Sequence, residues 1–140
     1  MKQTDAYEAI KQALINKVPP NVVINTTYKV QTLASALNVN TEEWNGLTLL
    51  IATNINNYYG AVAVLEDQVW DAILERYGNQ DYYILPSSVH ETLLIPVVGA
   101  DVNMLRSTVS RINETLVSES ERLSNDVYLF DHINRQIVFA

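Results

Sequence analysis

The chain has 140 residues, 48% hydrophobic and 18% charged, a composition that buries a real core and is not that of a disordered segment. Its formal net charge of -7, with nine basic residues scattered along the chain, argues against the Lys and Arg clusters that sequence-independent nucleic-acid binding needs. With no cysteine and only two histidines, His90 and His132, it offers neither a disulfide framework nor a thiolate or His-rich metal centre.

The first residues, MKQTDAYEAI, lack the apolar core of a signal peptide, and no run approaches the ~20 apolar residues of a spanning helix. That points to the cytoplasm, and the length suits a single domain spanning residues 1–140.

Asp5 to Val18 reads as an amphipathic helix, because Tyr7, Ile10, Leu14 and Val18 recur at three-and-four spacing. Asp5 and Glu8 suit a capping box at its start, and Pro19-Pro20 stops it. Residues 21–46 are poorly assigned. Val22-Val23-Ile24 and Thr26-Thr27-Tyr28 favour a strand, Thr32 to Leu37 a short helix, and Thr41 a helix N-cap. From Leu47 the pattern sharpens. Leu47–Thr53 and Gly60–Leu65 are near-continuous apolar runs joined by the Asn-rich NINNYY, which reads as a hairpin of buried strands.

Glu66 to Tyr77 carries an apolar stripe of Val69, Trp70, Ile73, Leu74 and Tyr77 and ends at Gly78, a helix with its C-terminal stop. Asp81–Leu85 and Val89–Val97 read as strands joined across Pro86-Ser87-Ser88, with Pro96 near a strand end. A third helix follows Asp101, with Val102, Leu105, Val109, Ile112 and Leu116 in register. Asp126–Phe130 and Gln136–Phe139 form a closing hairpin. The sum is an α+β fold. A largely antiparallel sheet is built as ββαββαββ with helices packed on one face, plus the N-terminal helix.

One stretch holds the polar cluster. Ser87, Ser88, His90 and Glu91 have the residue types of a serine nucleophile, a base and an orienting carboxylate. The spacing opposes that role, since His90 and Glu91 point to opposite faces of an extended segment and no G-x-S-x-G elbow surrounds either serine. The plainer reading is a Pro-Ser-Ser turn whose hydroxyls satisfy nearby backbone groups. A metal site would need His90, Glu91, Asp131 and His132 to converge from two hairpins, which nothing in the spacing demands. No glycine loop for a phosphate is present, so no cofactor is expected. Tyr58, Tyr59, Tyr82, Tyr83 and Tyr128 form the remaining group. Adjacent tyrosines in a strand place one ring on each sheet face, and tyrosine is enriched where proteins bind one another.

The string DYYILPSSVHE at Asp81–Glu91 resembles an uncharacterised family of bacterial proteins, chiefly from Firmicutes, known only as a domain of unknown function. Tyr59–Leu65 resembles that family's YGAAA-type strand, Asp101–Val117 its Leu-Arg and Val-x-x-x-Asn helix, and Leu123–Tyr128 its Leu-Ser-Asp-x-Val-Tyr ending. The resemblance spans about Leu47 to Asp131, leaving the N-terminal part unmatched, and implies no activity. The expected function is therefore a non-enzymatic protein-binding module acting on a protein partner or on itself, through the Ser87–Glu91 loop with Tyr58, Tyr59, Tyr82 or Tyr83. The alternatives are a small hydrolase using Ser87 or Ser88 with His90, or an acidic inhibitor from a mobile element.

Overall fold

The computed structural model describes residues 1–32, 35, 49–86, 88–115 and 117–140. Helix α1 spans Asp5–Lys17, followed by strands β1, Tyr28–Thr32, and β2, Leu50–Asn54. A 3-10 segment, Gly60–Leu65, leads into helix α2, Asp67–Tyr77. Strands β3, Tyr82–Leu85, and β4, Thr92–Pro96, precede helix α3, Val102–Thr115. A short 3-10 turn at Glu119–Glu121 and strands β5, Tyr128–Asp131, and β6, Gln136–Phe139, complete the chain.

The six strands form one sheet in the order β1-β2-β4-β3-β5-β6, antiparallel throughout. The α+β class and the antiparallel sheet are as expected from the sequence. One strand is not. The GAVAVL run at Gly60–Leu65 is a 3-10 helix, and β2 pairs with β1 and β4 instead. A short, wholly apolar run has no period that separates a buried strand from a buried helix. The backbone of Gly60 and Ala61 donates to the His90 and Val89 carbonyls, which turns the run away from a ladder with β2. β1 takes the vacant place, so the ββαββαββ order survives with a different first strand.

The principal core lies between one sheet face and the elements α1, α2 and the 3-10 segment. Ile10 and Leu14 of α1 enter it with Ala6, while Tyr7 packs at its margin. The cap of α1 is Thr4, one residue before the expected Asp5, and its hydroxyl accepts the Tyr7 N–H at 3.2 Å. Trp70 of α2 is fully buried. It stacks on Phe130 of β5 with ring centroids 3.8 Å apart and donates to the Val64 carbonyl at 2.8 Å. α1 and α2 cover this face, whereas Val102 and Leu105 in the first turns of α3 pack beside Leu85, Ile95 and Val127 on the other. Inner strands β3 and β4 are apolar on both faces, and both faces need cover.

The two sheet edges differ. Beyond β6 the N-terminal residues close the edge: Lys2 bridges Gln136 in parallel, and the Thr4 hydroxyl donates to the Ile137 carbonyl. Beyond β1 no described strand follows. The expected helix at Thr32–Leu37 and the Thr41 cap fall mainly outside the described residues. Among the described residues no helix is long and apolar enough to cross a membrane.

Candidate functional site

Asn54, at the end of β2, organises the polar cluster. It is fully buried, and a buried amide is stable only when its donors and acceptor are matched. Its Nδ2 donates to the carbonyls of Asn25 and Tyr58, at 3.1 and 2.9 Å. Its Oδ1 accepts the N–H groups of Asn56 and Tyr58, both at 3.2 Å. These bonds curl residues 54–60 into a compact loop, with Asn57 and Tyr59 at positive φ, 53° and 54°. The left-handed conformation costs a non-glycine residue roughly 1–2 kcal/mol, so the surroundings must hold Tyr59 there.

His90 is what holds it. The Tyr59 N–H donates to His90 Nδ1 at 2.9 Å, while the His90 carbonyl accepts the Gly60 N–H at 3.0 Å and the Thr53 hydroxyl at 2.7 Å. A ring nitrogen that accepts carries no proton, which leaves the proton on Nε2, facing Glu121 Oε1 at 3.2 Å. The Tyr58 ring lies over the imidazole at 5.4 Å and 19°, and Tyr59 meets it edge-on at 4.8 Å. From the other side the chain is pinned by the Val89 N–H donating to the Glu121 carbonyl, beside a bridge between Ser88 and Arg122.

Ser88 fits the turn reading. Its Oγ accepts the His90 backbone N–H at 3.1 Å, a local bond to the main chain and not to the imidazole. Ser87 lies outside the described residues. Glu91 is exposed, and the carboxylate beside the His90 ring belongs to Glu121. The tyrosines separate. Tyr58 is exposed and Tyr59 half-buried at the cluster, while Tyr82 is wholly buried in the principal core and Tyr83 lies on the opposite sheet face. The expected alternation of Tyr82 and Tyr83 therefore holds, and it removes both from the patch around His90. Burial raises the phenol pKa of Tyr82 and, with Asp126 adding to the effect, that of Tyr128.

His90, Glu91, Asp131 and His132 are not brought together. His90 meets Glu121, whereas His132 Nδ1 lies 2.5 Å from Asp81 Oδ1. Among the described residues no three His, Asp or Glu side chains form a group able to hold a metal. Asp131 turns its carboxylate to Asn134 and Ile133 within its own hairpin, and those hydrogen bonds, led by that from Asn134, keep its pKa below the usual range.

Sequence reasoning missed Asn54 and Glu121. Asn54 carried a signal, an asparagine opening an Asn-rich turn. Glu121 carried none, because its place beside His90 depends on how residues 118–125 return across the sheet.

Residues 4–132 match the model of a family of unknown function, DUF5688. The chain belongs to this family. The match begins at the N-cap of α1, so the DUF5688 unit takes in the N-terminal helix and β1, which the resemblance starting at Leu47 had left out. It also includes every element that builds the His90 cluster, from Asn54 to Arg122. No curated protein and no solved structure matches the chain.

Proposed function

We propose that this chain is a non-enzymatic protein-binding module of the bacterial cytoplasm, and that its contact surface is the Tyr58–His90 patch with Ser88 and Glu91 around it. The observation that carries this reading is the exposed Tyr58 ring stacked on an imidazole whose two nitrogens are both engaged, by the Tyr59 N–H and by Glu121. A large aromatic ring held rigid at the surface offers contact area at little cost in conformational entropy, and such rings anchor protein interfaces. Ile55, 51% exposed, extends the apolar area on the same loop. The strained backbone at Tyr59 supports the idea that the loop is held in one conformation for a purpose other than packing.

The hydrolase alternative has less support. A serine nucleophile needs an imidazole nitrogen facing its hydroxyl, yet the Ser88 hydroxyl is satisfied by the His90 main chain. The Firmicutes-type signature YYILPSS-x-HE would then mark a structural turn that positions the patch, with His90 as its keystone.

The test is a pull-down from the native host with wild-type and Tyr58→Ala/Glu91→Lys baits of matched thermal stability. A stoichiometric protein captured by the wild type and lost with the double variant supports the patch. Equal capture by both baits overturns it, as does the absence of any partner together with a monomer in sedimentation.

A further inference from the structure

The open edge of the sheet carries its own docking geometry, independent of the Tyr58 patch. The Ile55 N–H donates to the Thr27 carbonyl at 2.9 Å, which makes Thr27–Ile55 a hydrogen-bonded pair of the β1–β2 ladder. In an antiparallel ladder such pairs alternate, so Lys29 and Gln31 bond to β2 while the N–H and C=O groups of Tyr28, Val30 and Thr32 point outward. Among the described residues the outward N–H groups of Tyr28 and Val30 have no partner, and the Val30 carbonyl has only the Tyr77 hydroxyl at 3.5 Å. Beside them runs a groove of about 340 Å³ between β1 and α2. Val30, Val69 and Ala72 supply apolar wall, and Lys29 and Arg76 are the only charged side chains lining it. Neither cation has an ion-pair partner among the described residues, although Glu66 stands close enough to Tyr28 to help raise its phenol pKa.

We propose that β1 accepts an extended, acidic segment of another protein as an added strand. Its main chain would pair with the outward groups of Tyr28, Val30 and Thr32, and alternate side chains would enter the groove. Carboxylates on the added strand would reach Lys29 and Arg76, giving charge-assisted hydrogen bonds. A second copy of this chain suits the edge poorly. β1 reads Tyr-Lys-Val-Gln-Thr and holds no carboxylate, so self-pairing brings Lys29 and Arg76 of both copies into one interface. A lysine on an edge strand is a known deterrent to that pairing.

The probe is a fluorescein-labelled peptide of about ten residues alternating valine and glutamate, titrated by anisotropy beside its valine–lysine counterpart. The expected result is saturable binding of the glutamate peptide, at least about tenfold tighter than the lysine peptide. Val30→Pro removes an outward N–H without touching the β1–β2 ladder and weakens binding about tenfold or more. Arg76→Glu reverses the charge preference, and it reads the same site should Val30→Pro fail to fold. Absence of saturation, equal binding of both peptides, or wild-type binding by a folded Val30→Pro overturns the proposal. So does a concentration-dependent dimer that Val30→Pro abolishes, which would make the occupant a second copy.

Discussion

Gly60 sits where the 3-10 segment presses against the end of β2. A β-carbon there would lie 2.3 Å from Thr53 Oγ1 and 2.4 Å from the Asn54 backbone nitrogen. Neither atom is free to yield, since Thr53 donates to the His90 carbonyl and Asn54 holds the whole loop with its amide. Gly60→Ala is expected to cost about 3 kcal/mol, at the upper end of overpacking penalties, and to loosen the His90 cluster along with the fold. Urea denaturation reads the first effect and amide exchange at Tyr59 the second. An unshifted urea midpoint would mean that the loop relaxes more easily than its hydrogen bonds imply. At the same scale, His90 is best understood as a bracket. Its carbonyl and both ring nitrogens each tie down a different part of the chain, leaving its exposed face to the Tyr58 ring.

Among the elements, α2 does most to join the sheet to the site. Trp70 spans the core from Phe130 on β5 to the Val64 carbonyl in the 3-10 segment, so it couples the closing hairpin to the stretch that carries Gly60. Trp70→Ala is expected to destabilise the protein by about 3–5 kcal/mol, the range for emptying a buried aromatic site. Trp70→Phe keeps much of the stacking but strands the Val64 carbonyl, for about 1–2 kcal/mol. Guanidinium melts of the two variants separate packing from the hydrogen bond, and equal losses would show that the indole N–H carries the whole effect. The same helix forms one wall of the β1 groove, so its outer face and its core face serve different ends.

For the molecule as a whole, an excess of carboxylates makes acid response the natural probe of its electrostatics. Asp67 is held below the usual carboxylate range, chiefly by a hydrogen bond from the Met1 ammonium and further by Arg135, against the opposing effect of burial. Because its folded pKa lies below the unfolded value, its contribution is complete above about pH 4 and fades as the pH falls through the lower, folded value. The carboxylate is half exposed, which limits the effect to roughly 0–1 kcal/mol. Asp67→Asn should therefore melt slightly earlier than wild type at neutral pH and together with it near pH 2. A difference that persisted in acid would assign the loss to packing instead of charge.

Periodicity made the three helices legible, since a stripe at three-and-four spacing has one solution, and it made the inner strands legible as apolar runs bounded by Pro, Gly and polar turns. It also separated Tyr82 from Tyr83, because alternation in a strand is a local property. Local pattern failed at Gly60–Leu65, where apolar residues in both conformations look alike and the choice was made by carbonyls of Val89 and His90 arriving from a distant segment. It failed again at the site. Ser88, His90 and Glu91 could be nominated from their types, but Glu121 and Asn54 act through hydrogen bonds that span tens of residues or turn on the loop's closure. Residue order alone determined which segments are helical or extended and which faces are apolar. Only the folded chain decided which strand pairs with β2, which carboxylate meets His90, and which sheet edge stays open, because each depends on groups that sequence separation keeps apart until the core has formed.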